Sequence, residues 1–421
     1  MKITKYTLDN GLKLILCSDN TKHCTIANLF VRFGGNNKNI IINGKEKKIK
    51  NGMAHFIEHL LIEHSIYGNS LLEFNKKHTH SNGFTSDVRT EYYINSVSDF
   101  EEDLIRLINI VNNSKFTRED IENTRGAIIK ERMMDEDNKF KALYKLDYEC
   151  LFNKIEYPNI LGEIDDIKSI SYEDIKECYD TFYSPNNQIL VISGKFNLKR
   201  IKKIVEETYK KIDKKTVDYS IIKPKENNEV NIKEKEIKKD TYMDYVRINY
   251  KINIENLNNF EQIKLGYYLD YYLSYLFDGS SNAYSELVKK KICIYNIDYG
   301  FNKIDNFYII IIGTYTNNHK EFIEKIKEEM KQKKVDLEDF NLKKKESIIE
   351  IILREDNLFN MIKPYFDNII KYNYFNLDCI EDIETQSFDE YKKMINDLNL
   401  ENFVITKMIK NNWHKYAVMI E

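Results

Sequence analysis

The sequence from Asn51 to Ser65, NGMAHFIEHLLIEHS, decides how the rest of the chain is interpreted. It carries His55 and His59, four residues apart, with Glu58 directly before the second histidine. Positions i and i+4 lie one turn apart on the same helix face, so the two imidazoles can bind one metal ion. Glu58 lies beside them and is placed to accept a proton from a water molecule. This H-x-x-E-H order is the inverse of the common HExxH zinc motif.

The alternative is a helix that carries two unrelated histidines. With only 8 histidines in the chain, a chance H-x-x-E-H match is expected on the order of one time in a hundred. Glu63 and His64 follow the motif off its spacing, and we expect them at a solvated helix end.

A catalytic zinc site has three protein ligands, so the two histidines need a third partner. A helix is predicted from Thr117 to Asn138, and it begins with a capping box formed by Thr117 and Asp120. Spacing alone leaves the choice open among its acidic residues, which are Glu119, Asp120, Glu122, Glu131, Asp135, Glu136 and Asp137.

The composition excludes several classes of protein. The chain has 421 residues, which suits two domains of about 200 residues each. Hydrophobic residues make up 42% and charged residues 31%, which is typical of folded domains. Lys and Arg number 64 against 67 Asp and Glu, so a nucleic-acid partner is not expected. No apolar run reaches the roughly 18 residues of a membrane span.

The location expected for the protein is cytoplasmic. The first twenty residues carry charges throughout and lack the apolar region of a signal peptide. The six cysteines are scattered without C-x-x-C spacing, as is typical of reduced thiols.

The predicted elements occur in the same order in the two halves of the chain. The first half gives two strands, helices over 53–77, two strands within 83–97 and then long helices. The second half repeats this order, with strands predicted at Tyr245–Ile252, Ile294–Gly300, Asn306–Gly313, Phe403–Met408 and Lys415–Ile420.

This repetition predicts an α+β fold of two homologous α/β sandwich domains, formed by duplicated half-chains. We predict an N-terminal domain over residues 1–212 that carries the metal site, and a C-terminal domain over 241–421. Between them, residues 213–240 are dominated by Lys, Glu and Asp and are predicted to form a charged linker, parts of which suit an edge strand.

Two further stretches carry a resemblance to a known family. Asn82-Gly83-Phe84-Thr85-Ser86, followed by Thr90-Glu91-Tyr92-Tyr93, is similar to a strand pair of pattern N-A-x-T-S…T-x-Y-Y. Residues 123–138, NTRGAIIKERMMDEDN, are similar to a segment that contains V-x-x-E. Together with H-x-x-E-H, these stretches resemble the M16 (pitrilysin and insulinase) family of zinc peptidases, in its bacterial branch of short chains.

The resemblance implies a zinc ion bound by His55, His59 and Glu131, which lies 72 residues after His59. It implies that Glu58 is the general base when water attacks a peptide carbonyl, and the general acid toward the leaving amine. It also implies that an extended peptide binds by backbone pairing to the strand of Asn82, Gly83, Phe84 and Thr85.

Two positions depart from the family pattern. Tyr295 aligns with a tyrosine that stabilises the oxyanion in the family, but Val288 stands where the family has an arginine seven residues earlier. Lys289 or Lys290 would have to replace that arginine. Thr124 stands where the family has a second glutamate, an acid that supports the zinc site. Both departures leave the ligands and the base in place and lower the rate that we expect.

The function expected from this resemblance is that of a zinc-dependent endopeptidase. It would cut short unfolded peptides in an enclosed chamber, and leader or precursor peptides of the bacteriocin type are the substrates that analogy favours. A chain of this length supplies half of the family's clamshell, which implies a homodimer or a heterodimer with a related chain. The alternative is a non-catalytic or weakly active peptide-binding subunit of a heterodimeric M16 peptidase.

Overall fold

Residues 2–355, 368–372, 374 and 379–411 are described in the computed structural model of the chain. They divide into two compact units, each with its own sheet and helices. The first unit takes residues up to 137 and from 158 to 223, and the second takes residues 138–157 and the described residues from 224 onward. The strand predicted at Lys415–Ile420 lies outside the described residues.

The first unit contains a six-stranded main sheet and a small three-stranded sheet, as far as the described residues extend. Its strands are β1 (Lys2–Thr7), β2 (Lys13–Ser18), β3 (Thr25–Val31), β4 (Asn39–Ile42), β5 (Lys45–Lys48), β6 (His80–Thr85), β7 (Thr90–Ser96), β8 (Gln188–Gly194) and β9 (Tyr219–Ile221). The main sheet has the order β1-β2-β8-β3-β7-β6, in which β2 and β8 are parallel and the other neighbours are antiparallel. Strand β6 therefore forms an edge of the sheet.

The first half of the chain also supplies helices. They are α1 (Met53–Glu63), α2 (Ser70–Asn75), α3 (Phe100–Asn113), α4 (Arg118–Asp135), α5 (Lys139–Leu151), α6 (Ile164–Ser169), α7 (Tyr172–Phe182) and α8 (Leu198–Tyr209), of which α5 lies in the second unit and the others in the first. The predicted capping box of α4 is confirmed, since Thr117 Oγ1 accepts from the Asp120 amide and the Asp120 carboxylate accepts from the Thr117 amide.

Alternate residues of the strands face the helices, as the period of two in a strand requires. Leu14 and Leu16 of β2, together with Leu190 and Ile192 of β8, are fully buried in one apolar core. Phe56 of α1 is fully buried in the same core, so α1 is fixed against the sheet by its apolar face.

The second unit is built on a five-stranded sheet within the described part of the chain. Its strands are β10 (Glu234–Lys239), β11 (Tyr245–Asn253), β12 (Asp298–Ile304), β13 (Phe307–Tyr315) and β14 (Phe403–Lys410). Their order is β10-β14-β11-β13-β12. The helices that follow β11 are α9 (Asn259–Phe277), α10 (Asn282–Lys289), α11 (His319–Gln332), α12 (Leu337–Glu355), α13 (Cys379–Glu384) and α14 (Phe388–Asn396).

Helix α5 belongs to this second unit, although segments of the first unit precede and follow it in sequence. Phe307 and Ile309 of β13 are buried in one core with Leu143 of α5, whereas Tyr308 and Ile310 face the core that contains α9. The sheet of the second unit therefore has helices on both faces. A single division of the chain near residue 212 does not describe this arrangement, because residues 138–157 leave the first unit.

The charged stretch over residues 213–240 contains two strands, one in the small sheet of the first unit and one in the sheet of the second unit. Strand β9 pairs with β4 in the three-stranded sheet, and β10 pairs in parallel with β14 at the edge of the five-stranded sheet. Among the described residues, no helix combines the length and the apolar character that crossing a bilayer requires.

A buried ion pair fixes α5 to its sheet. Arg247 Nη1 lies 2.5 Å from Asp147 Oδ2, and both side chains are only 4% exposed. Asp147 Oδ1 also accepts hydrogen bonds from Asn249 Nδ2 at 2.9 Å and from Thr406 Oγ1 at 2.5 Å. One carboxylate of α5 thus binds β11 and β14 together.

We predict that Asp147→Ala lowers the free energy of unfolding of the second unit by about 3–5 kcal/mol, because Arg247 is left buried without its counter-charge. Glu149→Ala is the matched control on the same helix, since Glu149 pairs with Lys235 at the surface, where the two side chains are 50% and 40% exposed. That control should cost less than about 1 kcal/mol. Urea denaturation followed by circular dichroism checks this, and equal costs for the two variants would contradict it.

Candidate metal centre

Helix α1 places His55 and Glu58 among apolar residues. His55 is 7% exposed and Glu58 is 6% exposed, while Phe56 and Ile57 between them are fully buried. The helix begins after Gly52, whose φ of 81° is in the left-handed region that favours glycine. A Cβ on Gly52 would also lie 2.6 Å from the carbonyl oxygen of Leu161, so this position requires a glycine.

The third side chain of the site comes from α4. Glu131 Oε2 lies 3.3 Å from His59 Nε2 and 3.7 Å from His55 Nε2. The two imidazole rings have centroids 4.5 Å apart and planes inclined by 71°, so their nitrogens converge on the same carboxylate. In the part of the chain that the structure describes, this is the one group of three His, Cys, Asp or Glu side chains that lies close enough to hold a metal ion.

The donor set fits zinc. Ligands at about 2.1 Å from a tetrahedral zinc ion lie about 3.4 Å from one another, and the one ligand atom of each of the three residues lies within 4.8 Å of the others. Two imidazoles and one carboxylate are also the ligand set of a catalytic zinc site that keeps a fourth position open. Here the structure brings together His55, His59 and Glu131, the three residues predicted as ligands.

His59 is held on both sides of its ring. Its Nδ1 lies 3.0 Å from Glu63 Oε1, while its Nε2 faces Glu131. Burial lowers the pKa of His59, but the hydrogen bonds with Glu131 and Glu63 outweigh it and raise the pKa to about 9.

Glu58 is held by the neighbouring edge strand. Thr85 Oγ1 of β6 donates a hydrogen bond to Glu58 Oε2 at 2.5 Å. Burial raises the pKa of the Glu58 carboxyl to about 7, against the hydrogen bond from Thr85 and the charge of His59, which lower it. A pKa near neutrality suits a group that both accepts and returns a proton.

Gly83 lets β6 pass close to Glu58. A Cβ at this position would lie 2.9 Å from Glu58 Oε1 and 2.5 Å from Ile62 Cδ1. Gly83 and Thr85 therefore lie on the face of β6 that meets α1. Asn82 and Phe84, on the alternate face, are exposed, and Phe84 is exposed to 52%. The four residues predicted to bind substrate thus divide between the two faces of one edge strand.

Tyr295 and Val288 lie in the second unit. Tyr295 precedes β12, is 53% exposed, and has ring contacts with Tyr242 at 6.0 Å and Tyr315 at 6.2 Å. Val288, near the end of α10, is 41% exposed. The role of Tyr295 stays a prediction. The strand predicted from Ile294 begins later, at Asp298.

Glu63 and His64 lie at the end of α1, as expected, but their partly exposed side chains also have partners that the sequence analysis did not foresee. His64 Nδ1 lies 3.0 Å from Asp120 Oδ1, and its side chain is 23% exposed. Glu63 contacts the predicted ligand His59. The four-residue spacing between His59 and Glu63 was the signal for this contact, since i and i+4 are neighbours on a helix.

Comparison with known proteins agrees with this geometry. Residues 17–159 match the family model described as insulinase (peptidase family M16), and residues 169–347 match the model described as peptidase M16 inactive domain. The uncharacterized zinc protease YmfH of Bacillus subtilis (strain 168) is 30% identical over 318 residues, which cover 73% of this chain and 72% of that protein. This chain belongs to peptidase family M16.

Other members and structures resemble the M16 chain over different lengths. The mitochondrial-processing peptidase subunit beta of Rattus norvegicus is 30% identical over 195 residues, which cover 44% of this chain but only 37% of that protein. The crystal structure of a putative M16-like peptidase from Alicyclobacillus acidocaldarius superposes with a TM-score of 0.88 at 19% identity, over 97% of this chain and 98% of that one. The structural likeness confirms the α+β fold with two α/β domains.

We predict that this chain retains one zinc ion after dialysis. Glu131→Gln should weaken zinc binding more than about 100-fold, which exceeds the loss expected for a residue that only supports a ligand. Glu136→Gln is the control, because Glu136 directly follows the same helix and its side chain is 57% exposed. Competition with a coloured chelator measures both dissociation constants. Retention of tight zinc binding by Glu131→Gln would contradict the ligand assignment.

Proposed function

We propose that this chain is a zinc-dependent endopeptidase of the H-x-x-E-H type. The observation that carries the proposal is the convergence of His55, His59 and Glu131 beside the buried carboxylate of Glu58. Zinc held by these residues would supply a Lewis acid and lower the pKa of a water molecule toward about 7.

Glu58 is the residue to which we assign the proton transfers. Its Oε2 accepts the hydrogen bond from Thr85, which leaves Oε1 for the attacking water. Oε1 would take a proton as the water attacks the peptide carbonyl carbon, and would return that proton to the leaving amine nitrogen. Phe56 and Ile57 keep this part of α1 in the apolar core, so the carboxylate is held in place before substrate binds.

The edge strand β6 is where we place the substrate. An edge strand presents unpaired backbone N–H and C=O groups, and an extended peptide can add to it as a further strand. Backbone pairing requires an unfolded segment and does little to select side chains. This supports short unfolded peptides as substrates. We further propose that the protein acts in the cytoplasm, and leader or precursor peptides of the bacteriocin type are the class to test first.

The chain is proposed to act as a dimer, either with a second copy or with a related chain. The rat relative is named as a subunit, and the match covers 37% of that protein. Size-exclusion chromatography with light scattering, with and without a related chain of the same organism, tests this part of the proposal.

We predict that Glu58→Gln lowers the rate of peptide cleavage by about 10²–10⁴-fold, the contribution typical of general acid–base catalysis. The three ligands are unchanged, so the variant should keep one zinc per chain. Glu119→Gln, at an exposed position of α4, is the control and should retain full activity. Cleavage of a quenched fluorescent peptide, measured beside zinc content, checks both statements.

Cleavage that is indifferent to Glu58→Gln would remove the proposed mechanism. A zinc-loaded wild type that cleaves no peptide, alone or with a related chain, would favour the peptide-binding subunit.

The pairing of substrate with β6 predicts a periodic effect of backbone methylation. Along one bound peptide, N-methyl groups should lower kcat/KM by about 10-fold or more at alternate positions, because alternate N–H groups of a strand point to the same neighbour. Alanine substitution at the same positions is the control for side-chain effects. A methylation profile without a period of two would contradict binding at the edge strand.

A further inference from the structure

The second ring nitrogen of His59 is the feature that goes beyond the proposed activity. A histidine that binds a metal through Nε2 carries its proton on Nδ1, and an acceptor at that proton fixes the tautomer and the direction of the ring. The family resemblance implied a supporting glutamate at the position that is Thr124 here. We propose that Glu63 is the positioning residue for His59 in this chain. The inference rests on the proposed zinc site.

The geometry of α1 makes this contact direct. Glu63 lies four residues after His59, one turn further along the same helix. Its Oε1 lies 3.0 Å from His59 Nδ1, and the opposite nitrogen of the ring, Nε2, lies 3.3 Å from Glu131 Oε2. The Nδ1–H group of His59 donates to Glu63, so the lone pair of Nε2 is directed at the position between the predicted ligands.

Thr124 does not fill this role. Its side chain is fully buried on α4, seven residues before Glu131. Its Oγ1 has no hydrogen-bond partner among the described residues, so it donates to neither histidine. The support that a glutamate would give from α4 therefore comes from α1 itself.

Glu63 also lies near a second histidine. Its Oε2 lies 4.0 Å from His64 Nε2, and His64 Nδ1 lies 3.0 Å from Asp120 Oδ1. Asp120 also closes the capping box at the start of α4, so it is fixed by the helix that carries Glu131. This chain of contacts, from Asp120 through His64 and Glu63 to His59, joins the start of α4 to the predicted zinc ligand.

A purely structural role for Glu63 makes a different prediction. An i,i+4 pair on a helix surface stabilises the helix slightly and has no effect on metal binding. The pair of Lys202 and Glu206 on α8 has this same spacing, with a distance of 2.8 Å and side chains 33% and 34% exposed. The side chains of His59 and Glu63 are 24% and 29% exposed, so the two pairs are closely matched.

The test is the zinc dissociation constant, measured by chelator competition on the full chain. We expect Glu63→Ala to weaken zinc binding about 10–100-fold and Glu63→Gln, which keeps an oxygen acceptor, to weaken it less. Glu206→Ala and the isosteric Thr124→Val should leave the constant within about 2-fold of the wild type. Melting of the metal-free proteins shows whether each variant is folded.

A dissociation constant for Glu63→Ala within about 2-fold of the wild type, while Glu131→Gln loses zinc, would overturn this assignment and leave the zinc site standing. Weaker zinc binding by Thr124→Val, to the same extent as by Glu63→Ala, would also overturn it. Absence of zinc from the wild type would overturn the proposed function and the role of Glu63 with it.

Discussion

The burial of polar groups on α1 is the constraint on which the site depends. The helix is fixed in the core by residues such as Phe56 and Ile57, and this places His55 and Glu58 where water is largely excluded. A buried polar group is unfavourable unless it has a partner. Each partner comes from another element, with Glu131 on α4 facing the histidines and Thr85 on β6 bound to Glu58. The apolar face of one helix therefore determines how two other elements must approach it.

Much of this site could be predicted from the sequence, because helical spacing alone places His55, Glu58 and His59 on one helix. Glu131 could not be chosen by spacing, since seven acidic residues lie on or beside α4, and only the resemblance to the family selected it. The pairing of His64 with Asp120 was missed because it depends on how α1 and α4 cross, which no local pattern records. The α+β fold could be predicted from the repeated order of elements. That α5 belongs to the second unit could not be predicted in this way.

The two units use the same packing of a helix against an edge strand for different purposes. Helix α9 lies against the edge strand β12 as α1 lies against β6. In the second unit Gly266 of the helix lies next to Phe301 of the strand, whereas in the first unit Gly83 of the strand lies next to Glu58 of the helix. Its buried positions hold Tyr268 and Tyr272, and the described residues of the second unit contain no group of metal-binding side chains comparable to that of the first. The same packing of helix and edge strand thus holds a candidate metal centre in one unit and an aromatic core in the other.

The position of α5 also sets the order in which the molecule can be completed during synthesis. Asp147 and Thr406, which share a hydrogen bond, are separated by 259 residues. At about 5–20 residues per second, a ribosome needs roughly 13–50 s to make the intervening chain. Throughout that interval α5 has been made, but the strand β14 that its apolar face and its carboxylate contact has not. The second unit therefore stays incomplete until β14 has been made, and the apolar residues of α5 that pack against β14 lack this partner during that time.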